Sequence, residues 1–233
     1  MKEKNLNPNA GTILEIGTLG ASAILSFLAS IAPVNLAQSS ITFLLSAYQT
    51  SQINKFINTF TERIENLEKS KLDSKTIESD EFIALVYQVV EIATKTTSNI
   101  KREKLANALI NSVILANNHD IRNKEMLLRV LSGISDDEIN MLNAIYKNLE
   151  SYILKGKEES TFMLLDRGDI FLVGVQESTL ESLLNLSQSD VRATGQGLAQ
   201  LGLASYTSPD FWGLTTLGRT LVEWTIAVWN IEE

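Results

Sequence analysis

Residues 187–219 read SQSDVRATGQGLAQLGLASYTSPDFWGLTTLGR, and this stretch decides the fold of the last third of the chain. Ser187 precedes a helical segment that ends in Leu201-Gly202-Leu203. Two short β-rich segments, 204–207 and 211–215, flank the turn Ser208-Pro209-Asp210 and predict a two-stranded ribbon. A last helix is expected from Leu217 to Trp229.

The residues before this stretch predict three more elements. Ser135-Asp136-Asp137-Glu138 has the pattern of a capping box, and the helix that it opens runs through Ile153. The apolar run 170–173 predicts a short strand. Ser178 is the expected cap of a short helix over 179–186. The predicted order is helix, strand, helix, helix, ribbon, helix.

This order resembles that of prokaryotic winged-helix domains. The resemblance rests on Leu201-Gly202-Leu203 before the ribbon and on the phrase Leu214 to Arg219 after it. It implies a winged-helix-like domain with a small β-ribbon over residues 134–233. Most members of that group bind DNA, and the side chains that would read bases here are Gln188, Arg192 and Gln196.

The charge distribution argues against nucleic acid as the ligand. The formal net charge of the chain is -8, and residues 158–233 hold 3 Lys and Arg against 11 Asp and Glu. No lysine follows Lys157, and the ribbon turn has Asp210 but no cation. DNA binding depends on cations that neutralise phosphates. We therefore expect this domain to bind protein or to pack within the chain, and we keep a DNA-binding regulator as an alternative.

The first part of the chain, residues 1–133, predicts a helical bundle that starts with an apolar hairpin. Residues 12–33 have the length of a bilayer span, with Glu15 as their one charged residue. A stripe of small, weakly polar residues in this segment permits close helix contact in water or in lipid. Two interpretations stay open: a buried hairpin arm, or membrane contact through Ile24, Leu25, Phe27, Leu28 and Ile31.

Further helices follow the hairpin, so the predicted fold class is mainly α. Ser79 or Asp80 caps a helix whose core face is Phe82, Leu85, Val86, Val89, Val90 and Ala93. Ser98 starts the next, with Leu105, Leu109, Val113 and Ile114 directed inward. A short helix over 124–131 closes at Ser132-Gly133, where the glycine is expected to supply a left-handed cap.

A basic belt precedes the acidic third of the chain. Residues 95–129 hold seven Lys and Arg against three Asp and Glu. Opposite charges can join two parts of one chain, or two copies head to tail. The predicted partner-binding residues are Lys101, Arg102, Lys104, Arg122 and Lys124, together with Trp229 as an aromatic anchor.

The sequence predicts no catalytic, metal-binding or cofactor-binding residues. It has no cysteine and one histidine, His119, in a polar turn. The carboxylates of 136–138 stand at a helix start, where they favour the helix dipole. Gly195-x-Gly197 lies inside a predicted helix and not after a strand, so it is not a phosphate loop. We expect a protein that is not an enzyme and needs no cofactor.

Several short phrases resemble the bacterial helical proteins named for abortive infection, of the alpha type. They are Ile31-Ala32-Pro33-Val34, the helix with Phe56 and Phe60, the stretch 101–109 and the winged end. The resemblance implies a setting in phage defence or on a mobile element, with membrane association.

These features together predict a non-catalytic interaction protein of a prokaryote that acts through self-association or a protein partner. The alternatives are a membrane-associated effector that uses residues 12–33 and the DNA-binding regulator. The expected location is the cytoplasm, at or in the inner membrane under the first alternative.

Overall fold

The computed structural model describes residues 40–65, 73–77, 79–114, 121–155, 162–167 and 170–226. The described chain is mainly helical with a small antiparallel sheet, as the sequence predicts. The predicted apolar segment 12–33 and Trp229 lie outside the described residues. Within the described ranges, no helix combines the length and the apolar character needed to cross a bilayer.

The elements have the following bounds. The helices are α1 (Ser40–Glu65), α2 (Ser74–Ile77), α3 (Asp80–Lys95), α4 (Asn99–Val113), α5 (Ile121–Gly133), α6 (Asp136–Lys155), α7 (Glu177–Leu184), α8 (Gln188–Gln200) and α9 (Thr216–Thr225). The strands are β1 (Phe162–Arg167), β2 (Ile170–Gln176), β3 (Ala204–Ser208) and β4 (Phe211–Leu214).

The contacts group these elements into two units. The first holds the described residues up to Arg129 together with Thr225 and Ile226, and the second runs from Val130 to Trp224.

The first unit is built around α4. Every residue from Leu105 to Val113 is buried, because α4 packs against α1, α2 and α3. Helix α3 presents one apolar face, and its six buried residues are the six predicted from the sequence. Ser79 accepts from the Phe82 N–H at 3.2 Å and Ser98 from the Lys101 N–H at 3.0 Å, so both predicted N-caps are confirmed.

Polar side chains of α4 hold other parts of the first unit. Asn107 Nδ2 donates to the carbonyl of Thr225, and Asn111 Nδ2 donates to that of Ile226, both at 2.8 Å. Asn107 Oδ1 accepts from Arg63 at 2.6 Å. These amides satisfy carbonyls near the end of α9, which have no partner within the helix itself.

The second unit carries the sheet, whose strand order is β1-β2-β4-β3 with antiparallel neighbours. The predicted ribbon is confirmed as β3 and β4, and Asp210 in its turn has φ 67°. The predicted strand at 170–173 is longer than expected and ends at Gln176. Strand β1, which pairs with β2, is an element that the sequence analysis did not predict.

Several predicted helix ends need correction. Gly133 lies inside α5 and does not have a positive φ; Gly202, with φ 70°, is the one glycine that does among the described residues. Ser178 does not cap α7, which begins at Glu177 after Gln176 and has no side-chain cap. The last helix, α9, is described from Thr216 to Thr225, and residues 227–229 of the predicted helix lie outside the described residues. Helix α5 is longer at both ends than the predicted 124–131.

Two glycines of the second unit permit close packing. A Cβ on Gly195 would lie 2.5 Å from the ring of Trp212, so α8 rests directly on β4. A Cβ on Gly218 would lie 1.9 Å from the carbonyl oxygen of Leu203. Side chains at these positions would separate α8 from β4 and α9 from the residue before β3.

Candidate interaction surface on the second unit

Helix α8 is fixed at both ends. Ser187 and Asp190 form a reciprocal capping box at the start. At the other end, the N–H of Leu203 donates to the carbonyl of Leu198 at 2.9 Å, and the N–H of Gly202 donates to that of Ala199 at 3.0 Å. This is a Schellman motif with Gly202 in the left-handed conformation. The surface of α8 is therefore presented by a helix with little freedom to fray.

A buried carboxylate joins α8 to its neighbours. The side chain of Glu177, at the start of α7, is 1% exposed. It accepts from Arg192 Nε at 2.9 Å, from Trp212 Nε1 at 3.1 Å and from Gln188 Nε2 at 3.5 Å. The backbone N–H of Glu177 donates to the carbonyl of Asp210 at 2.8 Å. One residue thus connects α7, α8, the β3–β4 turn and β4.

Arg192 is bound by two carboxylates of its own unit. Its second contact is an ion pair of 2.9 Å between Nη2 and Asp210 Oδ1. The hydrogen bond that Arg192 donates to Glu177, followed by the charge of that carboxylate, raises the pKa of Arg192 above its ordinary value. The one cation of α8 is therefore neutralised within the chain.

The β3–β4 hairpin carries an exposed aromatic side chain. Tyr206 is 50% exposed and packs against Trp212 with ring centroids 4.9 Å apart. Its hydroxyl accepts from the backbone N–H of Asp210 at 2.7 Å. These contacts hold the Tyr206 ring in one position while half of its surface faces solvent.

The outermost positions of α8 are uncharged, and the exposed side chains of Asp190 and Arg192 flank them. Val191, Gly195 and Leu198 are buried, and the positions on the opposite side by helical spacing are exposed. No charged residue occurs between Arg192 and Asp210. We call this surface the α8 face; it consists of Ser189, Ala193, Gln196, Ala199 and Gln200.

The structure changes the interpretation of the predicted basic belt. Arg102 is 3% exposed and Lys124 is 2% exposed, so neither is available on the surface, and their prediction as partner-binding residues is corrected. Arg102 donates to Gln52, to the carbonyls of Thr96 and Thr97 and to Asn99. Lys101 and Lys104 are half-buried. The side chain of Arg122 lies outside the described part.

The three predicted base-reading residues lie on one helix but have different surroundings. Gln188 and Gln196 are exposed, whereas Arg192 is held by Glu177 and Asp210. Trp212 and Trp224 are buried in the second unit. Within the described ranges, no three histidine, aspartate or glutamate side chains are grouped to hold a metal ion.

The sequence interpretation missed the role of Glu177. A carboxylate directly after a β-rich run and eleven residues before Gln188 gives no local signal of burial. A tryptophan in the following ribbon was the one available hint, because a buried indole N–H needs an acceptor.

Comparison with known proteins gives no further guide to the site. No protein-family model, no curated protein and no solved structure matches the chain.

Proposed function

We propose that the chain is a non-catalytic interaction protein of a prokaryote, in which a helical bundle carries a winged-helix module that binds protein. One observation carries this proposal: the cation of α8 is bound by Glu177 and Asp210, next to an uncharged helix face. An interface core is typically depleted of charge and enriched in aromatic residues. The α8 face has no charged residue, and Tyr206 on the neighbouring strand β3 is half-exposed.

The topology of the second unit supports the winged-helix part of the proposal. Strand β2 precedes the two helices α7 and α8, and it pairs with β4 of the hairpin that follows them. Helix α8 has the place of a recognition helix, and the β3–β4 hairpin has the place of a wing.

Electrostatics favours protein over DNA as the ligand of this module. Residues 174–226 have two cations, Arg192 and Arg219. Arg219 forms an ion pair of 2.7 Å with Glu223, one turn along α9. A duplex would have to compete with these carboxylates for each cation, and it would meet the acidic field of the unit. An uncharged surface of a protein partner would not compete with these carboxylates for either cation.

The setting proposed for this activity is phage defence or a mobile element, and it rests on the family resemblance alone. The membrane-associated alternative depends on residues 12–33. It stays a prediction, as does the cytoplasmic location.

We expect the full chain to self-associate. Size-exclusion chromatography with light scattering should give a mass above the 25.8 kDa of one copy, at low salt and at about 1 M salt alike. Contact through uncharged surfaces explains the insensitivity to salt. Dissociation at high salt would instead favour the head-to-tail ionic contact, and a monomer in both buffers would contradict self-association.

We expect no gel shift of duplex DNA fragments at low salt, where even nonspecific binding is strongest. A basic winged-helix protein in the same gel is the positive control. A shifted band that is lost in Arg192→Ala would contradict the proposal, because Arg192 would then prefer phosphate or base to Glu177 and Asp210.

A further inference from the structure

The α8 face has chemistry that suits a copy of itself. In a two-fold symmetric interface, each residue near the axis meets the same residue of the other copy. A charged residue there would face its own charge, whereas a glutamine amide has both a donor and an acceptor. Gln196, placed near the axis, can therefore pair with its counterpart.

Charged residues are frequent in the rest of the second unit's sequence. Val130 to Trp224 hold 13 Asp and Glu against 6 Lys and Arg, so two such units repel each other wherever acidic surfaces meet. The stretch from Ala193 to Pro209 is 17 residues without a charge, and it covers most of the α8 face and β3. This charge pattern favours contact between copies at α8.

The α8 face is also prepared for contact. The capping box and the Schellman motif fix the two ends of α8. The close contact of Gly195 with the Trp212 ring fixes the position of α8 on the sheet. Leu201, at the end of α8, is 43% exposed and Tyr206 is 50% exposed. Rigid, partly apolar surfaces lose little conformational entropy when they associate.

We propose that two copies of this chain associate through the α8 face about a two-fold axis that passes near Gln196. Arg192, neutralised by Glu177 and Asp210, flanks the contact. The proposal rests on the proposed function and specifies it: the partner is a second copy, and the surface is the helix that a DNA-binding relative would direct at the duplex.

Charge complementation tests the proposal. Gln196→Lys and Gln196→Glu each place like charges across the axis, so each variant alone should have a dissociation constant raised on the order of 100-fold. An equimolar mixture of the two should recover a dimer that contains one copy of each. Native mass spectrometry of differently tagged full-length chains measures both effects.

Two controls separate this result from a general effect of charge or of misfolding. Lys147→Glu changes an exposed residue of α6, outside the α8 face, and should leave the dissociation constant unchanged. Circular dichroism should show wild-type helicity for every variant. If a Gln196 variant fails to fold, Gln196→Arg and Gln196→Asp repeat the experiment at the same position.

The outcomes of this experiment separate two statements: that the chain self-associates, and that it does so through the α8 face. If the wild-type chain is dimeric and both Gln196 variants dimerise as tightly as it does, the α8 face is the wrong surface, while self-association stands. If the single variants weaken but their mixture does not recover, two-fold contact at Gln196 is contradicted. A wild-type chain that is monomeric at every concentration would overturn both.

Discussion

Replacing Gly218 with alanine is expected to lower the free energy of unfolding of the second unit by about 3 kcal/mol. The added Cβ would lie 1.9 Å from the carbonyl oxygen of Leu203 and 2.8 Å from its carbonyl carbon. Both are backbone atoms, so no rotamer change can relieve the overlap. The start of α9 or the chain before β3 must move.

The movement would break further bonds around Leu203. Its carbonyl accepts from the N–H of Thr215 at 3.1 Å, and the hydroxyl of Thr215 donates to the carbonyl of Gly202 at 2.6 Å. The N–H of Gly218 itself donates to that hydroxyl oxygen at 3.0 Å. These bonds join the end of the α8 Schellman motif to α9, so the substitution disturbs both helices.

Urea denaturation followed by tryptophan fluorescence measures the effect, since Trp212 and Trp224 are buried in the second unit. Gly133→Ala is the matched control: a Cβ there meets nothing within 4 Å, and its stability should equal or slightly exceed that of the wild type. A Gly218→Ala chain within about 0.5 kcal/mol of the wild type would show that the contact is not as tight as described.

Local patterns in the sequence predict local structure well in this chain. The N-caps Ser79, Ser98 and Ser187 and the capping box of Ser135 and Glu138 are all present, because each depends on residues three positions apart. The core face of α3 is also correct, since amphipathic spacing alone determines which side of a surface helix is buried.

Properties that depend on distant residues could not be predicted in this way. Arg102 was assigned to the surface because it is charged, but Gln52, which binds it, is 50 residues away. The carboxylates of Glu177 and Asp210 are 15 and 18 residues from Arg192. The glycine pair 195 and 197 lies inside α8, as predicted. Its packing role against Trp212 and Glu138 required the tertiary structure.

The candidate site was predicted in part. The charge pattern of the last third indicated that a winged-helix-like element lacks phosphate-binding cations. It did not indicate that Arg192, the one cation of α8, is neutralised by Glu177 and Asp210 of the same chain. That neutralisation and the uncharged α8 face are two consequences of the same fold, since both depend on how α7, α8 and the hairpin meet.

Replacing Glu177 with alanine is expected to lower the free energy of unfolding by about 3 kcal/mol. The substitution removes the acceptor of the buried Trp212 indole N–H and the carboxylate that holds Arg192 Nε. Glu177→Gln keeps one side-chain oxygen as an acceptor, so its loss should be smaller, about 1 to 2 kcal/mol. Thermal and urea unfolding of the full chain measure both values.

Glu181→Ala is the control for Glu177, because it removes the same chemical group one turn along α7 and outside the network. Its stability should lie within about 0.5 kcal/mol of the wild type. Equal losses for Glu177→Ala and Glu181→Ala would show that the network contributes nothing specific.

A double-mutant cycle between Glu177→Ala and Arg192→Ala then separates the pair from its surroundings. Arg192→Ala alone leaves a buried carboxylate without its cation, whereas Glu177→Ala alone leaves a half-exposed guanidinium that water and Asp210 can still solvate. Arg192→Ala should therefore lower the free energy of unfolding less in the Glu177→Ala variant than in the wild type. If the two changes in the free energy of unfolding are strictly additive, Glu177 and Arg192 act independently. Arg192 would then not be neutralised by Glu177 at the edge of the α8 face.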